Sequence, residues 1–125
     1  MRILLDTQLY LWFVADSTQL SSKARKYIID AEEVFVSAAS IWEAAIKIGL
    51  GRLEVSVDDL IQGIEASGFI ELPITARQSA TVANLPSHHR DPFDRLLIAQ
   101  ALHEPLRLLT VDASLRPYSD LVELV

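Results

Sequence analysis

The chain of 125 residues contains no cysteine. That absence excludes a disulfide framework and any thiolate zinc site. Histidine is scarce as well. Only His88, His89 and His103 occur, and no two of them stand four apart as an imidazole pair on one helix face would. No apolar run approaches the ~20 residues that span a bilayer. The opening Met1-Arg2-Ile3-Leu4-Leu5 meets Asp6 too early for a secretory signal. These absences predict a cytoplasmic protein with no membrane partner. Positive charge is also in deficit: 11 Lys and Arg against 17 Asp and Glu give a formal net charge of −6. Such a balance argues against holding nucleic acid by bulk electrostatics. It does not exclude a nuclease, because a site that carries a divalent metal inverts its own local charge.

Half of the residues are hydrophobic and well spread, which argues against disorder and for one domain over 1–125 with a real core. No internal repeat, low-complexity stretch or linker interrupts it. Arg2 to Leu5 reads as a buried strand, and the apolar run Leu9 to Val14 as a buried first helix. Ser21-Ser22 offers an N-cap for a second helix through Ile29. Val34 to Val36 is β-rich. A helix opening at Ser40 should stop at Gly49 or Gly51, and another covers Ser56 to Ala66. Phe69 to Leu72 reads as a third strand. Thr75 and Gln78 have capping-box spacing and start a helix that ends before Pro86. After the polar loop Ser87 to Arg90, Asp91-Pro92 opens a helix through Leu102. Leu106 to Thr110 and Leu121 to Val125 are the last two strands. This alternation predicts an α/β domain with a mainly parallel sheet.

Four acids fall at junctions between elements: Asp6, Glu43, Asp94 and Asp112. Each has an ordinary explanation. Asp6 can cap the first helix, and Glu43 can complete a capping box with Ser40. Asp94 complements the dipole of its helix, and Asp112 can form an Asx-turn. Taken together they suggest more, because parallel sheets bind ligands beyond the carboxyl ends of their strands. Carboxylates gathered there repel one another unless a cation neutralises them. An all-oxygen donor set favours Mg²⁺ or Mn²⁺ over Zn²⁺.

Other candidates carry less weight. His88 and His89 either touch substrate or belong to a solvated loop. Trp12 and Trp42 fit core or subunit packing better than base stacking. Lys47 and Arg52 can reach phosphate, although solvation is their default state.

The block His88-His89-Arg90-Asp91-Pro92-Phe93-Asp94-Arg95-Leu96-Leu97-Ile98-Ala99-Gln100-Ala101 resembles a signature of the PIN-domain family, and in particular of the VapC toxins of bacterial toxin–antitoxin pairs. The resemblance extends in order through Leu4-Leu5-Asp6-Thr7 with Leu11-Trp12, Ser37 to Lys47 with Gly51-Arg52-Leu53, and Leu109-Thr110-Val111-Asp112. It spans Ile3 to Val122. It implies a three-layer sandwich around a five-stranded parallel sheet of order 3-2-1-4-5. It also implies a Mg²⁺- or Mn²⁺-dependent endoribonuclease whose acidic site is Asp6, Glu43, Asp94 and Asp112.

By that resemblance Asp6 and Asp94 bind the principal metal directly, and Asp112 binds it directly or through water. Glu43 holds a second ion or orients the attacking water. Thr7 and Thr110 bond to the acids or to water on the metal, while Asp91 is a nearby fifth acid with a capping role. The implied partners are an RNA substrate, a small and partly basic antitoxin, and a second copy of the chain in a homodimer. Two other readings stay open: a catalytically silent binding module of the same fold, and a nuclease for another nucleic acid. A phosphoacceptor receiver domain is excluded by its need for a lysine after a late strand, since the last lysine here is Lys47.

Overall fold

The computed structural model describes residues 1–125. Strands β1 (Arg2–Leu5), β2 (Glu33–Ser37), β3 (Ile70–Leu72), β4 (Arg107–Thr110) and β5 (Val122–Leu124) form one sheet. Their order is β3-β2-β1-β4-β5 and every neighbouring pair is parallel, as the resemblance implied. Six α-helices connect them: α1 (Thr7–Val14), α2 (Ser22–Asp30), α3 (Ala38–Gly49), α4 (Val57–Ala66), α5 (Ala76–Thr81) and α6 (Pro92–His103). Two 3₁₀ segments, Val82–Asn84 and Ala113–Tyr118, complete the chain. No helix is long and apolar enough to cross a membrane.

The strands are apolar on both faces, as parallel strands covered by helices must be. Alternate residues point to opposite faces, and the core divides accordingly. Ile3, Leu5, Val34, Val36 and Leu109 pack with Leu9 and Tyr10 of α1, Ala44 of α3, and Leu60 and Ile64 of α4. Leu4, Phe35, Leu108 and Val122 face the other way, onto Leu97, Ile98 and Ala101 of α6 and onto Leu115. The result is helix, sheet, helix.

Element ends differ from the sequence reading where backbone amides are already engaged. Phe69 donates its N–H to Ile64 O at 2.9 Å to close α4, so β3 begins at Ile70 rather than Phe69. Leu106 likewise closes α6 by donating to Ala101 O at 2.8 Å, so β4 begins at Arg107. The capping box at Thr75 and Gln78 is present. The helix after β2 starts earlier than expected. Ser37, the last residue of β2, is also the N-cap of α3, its hydroxyl accepting from Ala39 N at 3.0 Å. No loop separates strand from helix, so Ser40 lies inside α3 and caps nothing. Trp42 is not a core residue either: it is 57 % exposed, with its ring edge-on to Phe93 at 4.9 Å between centroids.

Candidate metal centre

The chain runs from β1 outward through β2 to β3, then returns to β4 on the other side of β1. Beyond the carboxyl ends of β1 and β4 the connections diverge, which leaves the crevice where parallel sheets hold ligands. Asp6 directly follows β1 and Asp112 follows β4 by two residues. Glu43 enters from α3 and Asp94 from the first turn of α6. These four acids, with Thr7, Gln8, Lys47 and Val111, line one depression of about 160 Å³. A larger cavity of about 390 Å³ lies by Met1, Lys23, Lys26, Tyr27, Asp30 and Ala31, at the other end of β1. With two lysines against one acid it has no cation-binding character.

Asp6 and Asp112 keep their local structural jobs as well. Asp6 caps α1: its Oδ1 accepts from Leu9 N at 2.8 Å. Its Oδ2 accepts from the buried Thr110 hydroxyl at 2.6 Å. That hydroxyl in turn accepts from Asp112 N at 3.1 Å, so Thr110 ties the two strand-end acids together. Asp112 forms the expected turn, its Oδ1 accepting from Ser114 N at 2.9 Å and Ser114 Oγ at 2.6 Å. Asp91 caps α6 through Phe93 N at 2.8 Å and Asp94 N at 3.2 Å, and does not line the depression. Thr7 lines it but donates its hydroxyl to Ser40 Oγ at 2.9 Å. Capping and site formation are therefore not rivals at Asp6 and Asp112. One geometry does both.

Glu43 is different. Its Oε2 pairs with Lys47 at 3.0 Å, whereas its Oε1 is buried with no hydrogen-bond partner. A buried carboxylate oxygen without a partner is unfavourable by about 1–3 kcal/mol, more when charged. The electrostatics agree. Burial lifts the Asp6 carboxyl from 3.8 to about 6, against the Thr110 and Leu9 bonds and with help from Glu43 and Asp112. Burial, then the nearby Asp91 charge, lifts Asp94 to about 7. Asp112 is instead held below its ordinary value by its bond to Ser114. A cleft that strains to hold its negative charge, and leaves one oxygen without a partner, fits a hard divalent cation.

Sequence reasoning undervalued His89. Its Nε2 lies 3.2 Å from Asp112 Oδ2 and 3.7 Å from Asp94 Oδ2. The three side chains bring potential ligand atoms within 4.8 Å of one another. No local pattern announces this, because it depends on how the loop before α6 folds back across the crevice. Lys47, read by default as solvated, lines the depression, while Arg52 is exposed and outside it. His88 faces away, edge-on to Tyr118 at 5.0 Å.

Comparison with known proteins bears on this arrangement. The PIN domain family matches residues 3–121. Ribonuclease VapC22 of Mycobacterium tuberculosis is 32% identical over 118 residues, covering 93% of this chain and 91% of that protein. The fold is similar to that in the crystal structure of VapBC2 from Rickettsia felis bound to a promoter DNA fragment, with a TM-score of 0.70 at 13% identity over 100% of this chain and 98% of that one. It is also similar to FitAcB from Neisseria gonorrhoeae, with a TM-score of 0.61 at 20% identity over 92% and 90% of the two chains. With its sheet order, its acidic crevice and nearly its whole length matched, the chain belongs to the PIN-domain family.

Proposed function

We propose that this chain is a Mg²⁺- or Mn²⁺-dependent endoribonuclease acting in the cytoplasm as the toxin of a toxin–antitoxin pair, with the whole of 1–125 as one PIN domain. The buried, partnerless Oε1 of Glu43 among three further acids carries the reading. Family membership and the likeness to a VapC ribonuclease support it.

In this reading Asp6, Asp94 and Asp112 would hold the cation. When bound, a divalent ion lowers the pKa of water and offsets charge on phosphoryl oxygens. The remaining steps fall to the protein. Thr110 fixes Asp6 by its 2.6 Å bond and keeps Asp112 beside it. Glu43, held by Lys47 through Oε2 at 3.0 Å, would accept the proton of an attacking water on its unpartnered Oε1. Attack on phosphorus forms the new P–O bond and breaks the bond to the 3′-oxygen, which takes a proton from solvent, so that a 5′-phosphate and a 3′-hydroxyl would result. The net charge of −6 suits a partly basic antitoxin that lays cationic residues across the acidic cleft. The exposed apolar surface around Trp42 is the candidate contact for a second copy.

The test is cleavage of single-stranded RNA beside single-stranded DNA, with end mapping of the products. Cleavage of RNA that EDTA stops, that Mn²⁺ restores and that Asp94→Asn abolishes is the expected result. Full activity in that variant, or a preference for DNA, would overturn the assignment.

A further inference from the structure

His89 presents the same Nε2 edge whether it ligates a cation or steadies an acid, and its other nitrogen decides between the two. Asp91 N donates to His89 Nδ1 at 3.0 Å. Nδ1 is therefore the acceptor, and the ring proton sits on Nε2, which points at Asp112 Oδ2 at 3.2 Å. A direct Nε2–metal bond would push that proton onto Nδ1. There it would face the Asp91 N–H, two donors 3.0 Å apart. Metal-ligating histidines show the reverse pattern, with the far ring N–H donated to an acceptor.

The loop that carries His89 is fastened to make this geometry hold. Arg95 donates to Pro86 O at 2.9 Å, Val82 O at 3.1 Å, Leu85 O at 3.4 Å and His89 O at 3.4 Å. It also donates to the Tyr118 hydroxyl at 3.1 Å. The imidazole thus joins two elements that each supply an acid: through Asp91 it meets the start of α6, and through Asp112 the end of β4. Both oxygens of Asp112 are then directed, Oδ1 by Ser114 and Oδ2 by His89. We infer that His89 is a positioning residue of the acidic site: its Nε2–H fixes the carboxylate of Asp112 for cation binding, and its ring is not itself a ligand. This rests on the metal-site reading above.

Long-range ¹H–¹⁵N correlation on the full chain reads the tautomer without any metal, with His89 signals assigned by their loss in His89→Gln. Nε2 protonated and Nδ1 bare is the expected state, retained on addition of Mg²⁺. Pulsed EPR of the Mn²⁺-loaded chain should show no directly bound nitrogen. His89→Ala should weaken Mn²⁺ binding about tenfold, on the scale of other residues that orient metal ligands. His89→Gln, whose amide N–H reaches a similar place, should recover most of it. A strong nitrogen coupling on Mn²⁺, a proton on Nδ1, or unchanged Mn²⁺ affinity in His89→Ala would each overturn the inference. Failure of the wild type to take up Mn²⁺ would instead overturn the metal-site reading, while the metal-free tautomer still judges the hydrogen-bond geometry by itself.

Discussion

At the scale of single residues, two of the site's four carboxyls resist ionisation. Asp6 and Asp94 keep their protons to about 6 and about 7, where an unfolded chain releases them near 3.8. Their stabilising contribution is complete below 3.8 and is lost as pH rises through about 6 and then about 7. Asp94→Asn fixes the neutral form. Without metal it should therefore melt above wild type at pH 8, with the gap closing at acid pH. Added Mn²⁺ should raise the melting temperature of wild type much more than that of the variant, and less at pH 5 than at pH 8. Calorimetry across pH checks both signs, and a metal-free variant that melts below wild type at pH 8 would contradict them. Thr110→Val keeps the shape but removes the donor to Asp6 and the acceptor for Asp112 N. A loss of about 1–3 kcal/mol in denaturant melts is expected from the orphaned buried oxygen of Asp6 and the partly buried N–H of Asp112, together with weaker Mn²⁺ binding.

The residues legible from sequence were those whose signal is local. Asp6 and Asp112 stand at strand ends, and the structure puts both in the crevice. Ser40 misled, because Glu43 three residues on gives it capping-box spacing that Ser37, the actual cap, lacks. Only the absence of a loop after β2 decides for Ser37. His89 could not be read, since its contact with Asp112 spans 23 positions and depends on the loop that Arg95 pins.

At the scale of elements, helix ends and close helix contacts carry specific demands. α3 ends in a Schellman motif, with Arg52 N donating to Lys47 O at 2.8 Å and Gly51 N to Ile48 O at 3.0 Å. Gly51 takes a φ of +71°, which explains why it, and not Gly49, marks the stop. Gly63 serves packing instead. A Cβ there would lie 2.9 Å from the Tyr10 hydroxyl, which donates to Leu60 O at 2.6 Å. Alanine favours a helix interior by about 1 kcal/mol over glycine, but the buried hydrogen bond it would disturb is worth about as much or more. Gly63→Ala should therefore be neutral to destabilising by about 1 kcal/mol, against propensity. In a Tyr10→Phe background the same change should become stabilising. A thermal-melt cycle over the four proteins tests this, and equal effects in both backgrounds would refute it.

For the whole molecule, the sheet separates two cores. Ile3 lies in one and Ile98 in the other, both almost fully buried. Ile3→Val and Ile98→Val should each lose about 0.5–1.5 kcal/mol. Having no shared partners, they should add to within ~0.5 kcal/mol. Urea melts of the singles and the double would expose any larger coupling and with it a flaw in the three-layer description. The architecture itself was largely readable, because alternating strand and helix patterns survive errors of one residue at their ends. The strand order was not derivable from those patterns and came from the family resemblance.

The central place of β1 between β2 and β4 also governs timing. On a ribosome, β1 and β2 emerge early, but the neighbour that completes β1 and carries Asp112 beyond it comes only at Arg107–Thr110. Until that segment docks, Thr110 cannot hold Asp6 and Asp112 is absent from the crevice. A chain without β4 thus has an incomplete acidic site, which is assembled only after Arg107–Thr110 and Asp112 have been made. For the nuclease proposed here, that order would be a built-in delay.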